Sequence, residues 1–166
     1  MIEQHTISIL LENESGSLSR VSGLFSARAY NIESLSVAPT EDPSVSRMTV
    51  VTAGSPAIIE QITKQLNKLV DVIKLVDLND GARIERELLL IKLHCSNPDK
   101  RSEFKRLADI FSGEIVDITE DSYTIQITGL PSRVDEFIQA AGSRNVIELV
   151  RSGVLGLQID NRSLTT

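Results

Sequence analysis

The chain is poor in several residue types on which whole classes of protein depend. Among its 166 residues there are no tryptophans, one cysteine and two histidines, and aromatic residues make up only 4%. The single cysteine, Cys95, excludes an internal disulfide and is typical of a reducing compartment. Two histidines and one cysteine do not complete the ligand set of a structural zinc site, so the composition predicts no metal centre of that kind.

An excess of basic charge is also missing. The chain carries 17 basic and 23 acidic residues, a net charge of −6, and residues 1–83 and 84–166 each contribute −3. Proteins that bind nucleic acids usually show a basic patch or a basic tail. We therefore expect no nucleic-acid partner.

Long apolar runs are absent as well. No run approaches the roughly 20 residues that a membrane-spanning helix needs. The segment Met1–His5 lacks the basic stretch and apolar core of a signal peptide. The sequence therefore predicts no membrane partner and a cytoplasmic location.

What the chain does contain is one pattern of elements that occurs twice. Alternating or continuous apolar residues predict strands, and apolar residues three or four positions apart predict helices. In the first copy the predicted strands are Thr6–Leu11, Asn31–Val37, Arg47–Thr52 and Val70–Leu78, and helices begin near Ser17, a candidate N-cap, and Pro56. In the second copy the predicted strands are Glu87–His94, Gly113–Ile118, Tyr123–Thr128 and Val146–Val150, with helices at Asp99–Phe111 and Pro131–Ala141.

The two copies share more than their order of elements. Pro56 and Pro131 lie 75 positions apart, and Val72–Val76 recurs as Val146–Val150 at an offset of 74. A nearly constant offset across separate elements indicates a duplicated unit. The predicted fold class is α+β, with two tandem ferredoxin-like βαββαβ units, each a four-stranded antiparallel sheet with two helices on one face. We expect domains at residues 1–79 and 84–160, with a frayed tail after Gly156.

The strands of the first copy look apolar on more than one side. The residues concerned are Ile7, Ile9, Leu35, Val37, Met48, Val50, Ile73 and Leu75. An apolar sheet face needs cover, so this pattern predicts a homodimer or a sheet that extends across copies.

The most informative segment is Leu10–Val21, in which an apolar strand runs through a short turn directly into a helix. The backbone N–H groups of Gly16, Ser17 and Leu18 then point out of the helix start, where the helix dipole favours negative charge. The amide of Asn13 can accept a hydrogen bond from an ammonium group and donate one to a carboxylate.

A ligand that carries adjacent ammonium and carboxylate groups, such as a free amino acid, fits this arrangement. Asn31 lies where the same helix ends and offers a second amide. The same residues are also good turn chemistry that needs no ligand. The second copy has no equivalent turn, since His94–Asp99 replaces it, so the site is predicted in the first unit only.

Several segments resemble one known family. They are Leu10–Val21, Gly23–Ser26, Tyr30–Thr40, Ser46–Thr49, Gln65–Val72 and Arg151–Gly153. These are similar to the small regulatory subunit of acetolactate (acetohydroxyacid) synthase, whose N-terminal half is an ACT domain, a βαββαβ module that binds amino acids at dimer interfaces. The chain departs from the family pattern at Ala29, where glycine is more frequent, and alanine is tolerated there unless the position needs a positive φ.

The resemblance implies a non-catalytic chain without a cofactor of its own. Its partner would be the large catalytic subunit, which carries thiamine diphosphate, FAD and magnesium. The small subunit of this family activates the large one and makes it sensitive to branched-chain amino acids, usually valine. By residue match, the effector site would combine two sets of residues: Asn13, Gly16, Ser17 and Leu18 from one protomer, and Asn31 and Ile32 from its dimer mate.

Three other functions compete with this interpretation. An RNA-binding module of the same topology needs exposed aromatic residues on its central strands, and Arg47–Thr52 has none. A self-contained enzyme needs a nucleophile and a base in one place. His94 and Cys95 are adjacent strand residues that point to opposite faces, so no catalytic residue is predicted. A stand-alone amino-acid-sensing regulator is the nearest alternative.

Overall fold

The computed structural model describes residues 1–166, and its first six elements follow the predicted βαββαβ order. They are β1 (Glu3–Glu12), α1 (Ser17–Ala27), β2 (Ser34–Pro39), β3 (Val45–Gly54), α2 (Pro56–Asn67) and β4 (Val72–Asp77). The strands form one antiparallel sheet in the order β2-β3-β1-β4. Strands β1 and β3 are longer than predicted, because their pairing continues into the polar residues at both ends of the apolar pattern.

Alternate residues of the central strands and one stripe of each helix form the core of this sheet. The buried members are Ile7, Ile9, Leu11, Val21, Phe25, Met48, Val50, Ile59, Ile62 and Leu66. The period of two in the strands and the spacing of three or four in the helices place these side chains on facing surfaces.

The prediction that the first sheet is apolar on more than one side is confirmed in part, although the residues named for it lie largely on one face. Val37 lies opposite Met48, and Met48 lies opposite Ile9, so these three side chains share the face that carries the helices. The other face is mixed: Ser36, Thr49 and Ser8 lie opposite one another there. The same face also carries Leu10 and Val51, which are buried. The predicted set consisted largely of every second residue of each strand, and a strand directs every second residue to the same side.

The C-terminal segment covers part of this second face. The chain divides into one unit of residues 1–84 with 154–166 and another of residues 85–153. The backbone N–H of Val154 donates to Ser34 Oγ at 2.9 Å, and Arg47 donates to Ser8 Oγ at 2.8 Å and to the Gly156 carbonyl at 3.4 Å. Residues 154–160 therefore pack with the first unit, although the sequence assigned them to the second.

The expected frayed tail after Gly156 was also wrong in part, because the segment forms strand β9 (Leu155–Gln158). Leu155 and Leu157 are exposed, whereas Gly156 between them is buried. Strand β9 pairs with the strand that follows in the chain order after β4, residues Arg83–His94. No local pattern in so short a strand predicts that it also covers the first sheet, whose residues lie about a hundred positions earlier in the chain.

The second unit repeats the architecture. Its elements are β5 (Arg83–His94), α3 (Pro98–Ile110), β6 (Glu114–Ile118), β7 (Ser122–Gly129), α4 (Pro131–Ala141) and β8 (Val146–Arg151). Its sheet has the order β6-β7-β5-β8, and its core is built from Leu89, Ile91, Leu93, Phe104, Ala108, Ile125, Ile127, Val134 and Phe137. None of the four helices is long and apolar enough to cross a membrane.

The duplication extends to a bulge in each sheet. The β1–β4 register shifts between Leu10 and Leu11, and the β5–β8 register shifts between Lys92 and Leu93. Past the shift, Leu11 pairs with Val72 and Leu93 pairs with Val146. A bulge inserts one unpaired residue and bends the strand, so its recurrence at matching positions supports the duplication inferred from the offsets.

Candidate functional site

The turn between β1 and α1 ends in a left-handed residue. Gly16 has φ +90° and ψ −9° and is the N-cap of α1, so the helix begins one residue earlier than a Ser17 cap would imply. The prediction of Ser17 as N-cap was wrong, because Gly16 alone can adopt this backbone conformation without strain. Ser17 N–H donates to the Glu14 carbonyl at 3.3 Å, which closes the turn.

The N-terminus of α1 has no side-chain cap, unlike two other helices of the chain. The Ser55 hydroxyl caps α2 through the N–H of Ile58, and Asn97 caps α3 through the N–H of Lys100. The first N–H groups of a helix have no partner within the helix. The start of α1 thus keeps donors available for an external acceptor, whereas α3 satisfies one of its donors with its own asparagine.

Asn13 ties the turn to the β2–β3 hairpin. Its side-chain Nδ2 donates to the Pro43 carbonyl at 2.8 Å, and its backbone N–H donates to the Ser44 carbonyl at 2.7 Å. The residue is exposed, and its side-chain oxygen has no hydrogen bond within the chain. Asn13 is therefore held in place by its donor end while its acceptor end stays available to a ligand.

An ion pair lies beneath the turn. Arg20 on α1 donates through Nε and Nη2 to Asp71, which lies just before β4 and whose side chain is 4% exposed. The hydrogen bond from Arg20 holds the pKa of Asp71 below its ordinary value. The Ser17 hydroxyl is buried close to this carboxylate and also lowers the pKa of Asp71. It does not meet the geometric criteria of a hydrogen bond.

The structure places Asn31 and Ile32 far from the other predicted site residues of the same chain. The Asn31 carbonyl accepts a hydrogen bond of 2.7 Å from Thr52 Oγ1, whereas the turn lies beside Val45, the partner of Glu12. Thr52 and Val45 are seven positions apart on β3, which corresponds to about 23 Å at the rise of a strand. One chain therefore brings together Asn13, Gly16, Ser17 and Leu18, and leaves Asn31 and Ile32 at the other end of its sheet.

The helix that leads to Asn31 ends in a Schellman motif. Tyr30 N–H donates to the Phe25 carbonyl at 2.9 Å and Ala29 N–H donates to the Ser26 carbonyl at 3.2 Å, while the Phe25 and Tyr30 rings pack edge to face. Ala29 has φ +56°, so the position does require the left-handed conformation that favours glycine. The alanine found here in place of the family's more frequent glycine is therefore strained.

Other candidate chemistry does not assemble. The carboxylates of Glu12, Glu14 and Asp71 lie within 4.8 Å of one another, but Asp71 is already paired with Arg20. His94 is exposed and Cys95 is buried, as expected for adjacent residues of a strand end. Burial raises the pKa of the Cys95 thiol, which disfavours the nucleophilic thiolate.

Two connections of the first unit are shortened in the second. The α1–β2 connection spans residues 28–33 and the β2–β3 connection spans 40–44, against 111–113 and 119–121 in the second unit. The first of these carries Asn31 and Ile32, and the second carries the carbonyl groups that hold Asn13. The second unit thus lacks the segments from which the predicted site is built.

Comparison with known proteins identifies the class of these units. Residues 7–74 match the family described as AHAS small subunit-like ACT domain, and residues 86–160 match the family described as small subunit of acetolactate synthase. The first unit is an ACT domain, and the fold class predicted from the sequence is confirmed.

The relatives cover more than nine-tenths of the chain. The acetolactate synthase small subunit of Haemophilus influenzae is 53% identical over 159 residues, which are 95% of this chain and 97% of the relative. The isozyme 3 small subunit of Escherichia coli is 51% identical over 152 residues, 91% of this chain and 93% of the relative. The chain belongs to the family of acetolactate synthase small subunits, as the resemblance implied.

A solved structure agrees with this assignment. The crystal structure of the acetolactate synthase small subunit from Thermotoga maritima superposes with a TM-score of 0.87 at 35% identity. The match covers 96% of this chain and 99% of that chain.

Proposed function

We propose that this chain is the non-catalytic regulatory subunit of an acetolactate synthase, which activates the large catalytic subunit and confers feedback inhibition by valine in branched-chain amino acid biosynthesis. The observation that carries the proposal is the uncapped start of α1 behind Gly16, in an ACT unit of a chain that belongs to this family. A helix N-terminus with free donors binds a carboxylate, and a carboxylate is common to all free amino acids.

The proposed effector site combines a carboxylate side and an ammonium side. Backbone donors at Gly16, Ser17 and Leu18 would face the carboxylate, and the Ser17 N–H also donates to the Glu14 carbonyl within the turn. The free side-chain oxygen of Asn13 would accept from the ammonium group. Ile32, which packs at the edge of the first core, would offer apolar contact to a branched side chain.

The site would be completed by a second copy of the chain. Strand β2 is one of the two edge strands of its sheet, with Val37 exposed on it. If two β2 strands pair antiparallel, the Ser34 end of one lies beside the Pro39 end of the other. Pro39 is opposite Ser46, and Ser46 is opposite Leu11, so the partner's Asn31 and Ile32 would approach the turn that carries Asn13.

The remaining partners follow from the regulatory role. This chain would hold no cofactor, and the thiamine diphosphate, FAD and magnesium of the reaction would belong to the large catalytic subunit. The effector can change catalysis only if it binds more tightly to one state of the assembled enzyme than to another. A cytoplasmic location remains part of the proposal.

The test is reconstitution of the full chain with its large catalytic subunit. We expect acetolactate formation to rise when this chain is added and to fall again with valine, and isothermal titration should show valine binding to this chain. No binding of valine, leucine or isoleucine at millimolar concentrations, alone or in the complex, would refute the proposal. Amino-acid binding without any association with a catalytic subunit would instead favour a stand-alone ACT regulator.

A further inference from the structure

Arg20 contacts both ends of the turn that carries the proposed effector site. At one end, its backbone N–H donates to the Gly16 carbonyl at 2.9 Å, and a Cβ atom at Gly16 would lie 3.0 Å from Arg20 Nη1. The guanidinium therefore lies directly against the left-handed residue at the helix start. At the other end, Arg20 reaches Glu12 through Asp71, whose backbone carbonyl accepts the Glu12 N–H at 2.9 Å.

Arg20 and Asp71 form a bidentate ion pair. Arg20 engages both oxygens of Asp71, through Nε and Nη2, and this arrangement restrains the plane of the guanidinium. Asp71 is buried, so it cannot exchange its partner for water without exposing the connection between α2 and β4. The remaining donor atom, Nη1, faces the backbone at Gly16 and makes no hydrogen bond within the chain.

The charges around the turn give the Arg20–Asp71 ion pair a second role. The carboxylates of Glu12, Glu14 and Asp71 lie within 4.8 Å of one another, at the place where the effector's own carboxylate is expected. Like charges in such proximity oppose the binding of a further anion. Arg20 is the cation that offsets them, since both Asp71 and Glu14 raise its pKa.

We propose that Arg20, held by Asp71, is a positioning residue for effector binding: it fixes the turn 12–18 in the conformation seen in the structure and offsets the acidic groups around it. This inference rests on the proposed function. Arg20 acts through the turn, and the loss of its charge would leave three carboxylates uncompensated beside an anion site.

The variants Arg20→Met and Arg20→Lys separate shape from charge. Methionine keeps much of the apolar stem and removes the charge, whereas lysine keeps the charge but cannot engage both oxygens of Asp71. Lys64→Met is the matched control, because it breaks the exposed ion pair with Glu60 on α2, away from the turn. The full chain is assayed with the catalytic subunit, and the half-inhibitory valine concentration is measured for each variant.

We expect Arg20→Met to raise the half-inhibitory valine concentration by roughly tenfold or more, Arg20→Lys to raise it less, and Lys64→Met to leave it unchanged. Hydrogen exchange provides a readout without effector: amides of residues 12–20 should exchange faster in Arg20→Met, while amides in the β1–β3 pairing keep their wild-type rates. Wild-type exchange in the turn or wild-type valine sensitivity of Arg20→Met would overturn the proposal.

Two further outcomes have distinct meanings. If the wild-type chain does not respond to valine, the proposed function itself fails and this inference fails with it. If Arg20→Met loses protection throughout the β1–β3 pairing, Asp71→Asn replaces it as the test, because asparagine keeps the shape of the buried partner and removes its charge. Wild-type valine sensitivity and turn exchange in Asp71→Asn would then refute the inference.

Discussion

The side-chain Nδ2 of Asn13 lies 2.8 Å from the carbonyl oxygen of Pro43 and donates a hydrogen bond to it. This contact joins the turn before α1 to the hairpin between β2 and β3, two segments that are 30 positions apart in the chain. The amide donor of Asn13 is thus engaged within the chain, and its oxygen is the atom left for a ligand. Asn13 is therefore expected to recognise the ammonium group of an amino acid rather than its carboxylate.

Replacement of this amide tests that assignment. Asn13→Ala should raise the half-inhibitory valine concentration by about tenfold or more, because a hydrogen bond to a charged group typically contributes ~1.5–3 kcal/mol. The matched control is Asn97→Ala, which removes the side-chain cap of α3 at the corresponding place in the second unit. The control should lower the stability of the second unit by about 1 kcal/mol and leave valine inhibition unchanged. Wild-type sensitivity in Asn13→Ala would show that the site is misplaced.

Gly16 and Gly23 lie on the same helix and should respond to alanine in opposite directions. Gly16 has φ +90° and Arg20 Nη1 is 3.0 Å from its Cβ position, so Gly16→Ala should destabilise the first unit by about 1–2 kcal/mol. A Cβ at Gly23 meets nothing within 4 Å, so Gly23→Ala should stabilise the chain by about 0.5–1 kcal/mol. Urea unfolding of the two variants checks both signs, and destabilisation of equal size would contradict the structure.

Ala29 should be improved by glycine. Its φ of +56° costs an L-residue about 1–2 kcal/mol, and the greater loss of backbone freedom that glycine suffers on folding cancels part of the gain from relieving that strain. We expect Ala29→Gly to raise the free energy of unfolding by about 0.5–1 kcal/mol. Ala57→Gly on α2 is the control and should lower stability by up to about 1 kcal/mol, because glycine is a poor helix former. Thermal unfolding of both variants tests the prediction: the midpoint temperature should rise for Ala29→Gly and fall for Ala57→Gly.

Local pattern was sufficient to predict the four helices, the strands β1 to β8 and the duplication, and the places where it failed have physical causes. The order of elements follows from periodicities of two and about 3.6, which are properties of neighbouring residues. The sequence alone could not predict the strain at Ala29, because that strain depends on whether the residue adopts a positive φ. The φ of the residue in turn depends on how the helix ends. The cover that Val154 and Gly156 provide for the first sheet depends on contacts more than a hundred positions away.

The candidate site shows the same division between local and distant information. The turn with Asn13 and Gly16 is a local motif, so it can be predicted from the sequence. Arg20 lies in the same motif, but its role depends on Asp71, 51 positions later, and Asp71 gives no local signal.

The Asp71 carboxylate should make stability depend on acid pH. Arg20 holds the pKa of Asp71 below its ordinary value in the folded chain, whereas the unfolded carboxyl has a pKa near ~4. The contribution is therefore fully present above the unfolded pKa and is lost as pH falls through the folded pKa. We expect the difference in unfolding free energy between wild type and Asp71→Asn to be largest near neutral pH and to shrink below about pH 4. A difference that stays constant from neutral to strongly acid pH would contradict this linkage.

A mixture of two defective variants tests whether the site is shared between protomers. Asn13→Ala removes a residue from the turn, and Asn31→Ala removes a side chain about 23 Å away along the sheet of the same chain. In a mixed dimer one site would carry both substitutions and the other would carry neither. With random exchange at equal concentrations, about a quarter of all sites should regain wild-type valine affinity, since half of the dimers are mixed. Isothermal titration of the mixture should therefore show a high-affinity class that neither variant shows alone. If no such class forms after the protomers have exchanged, the two asparagines do not meet across a dimer interface.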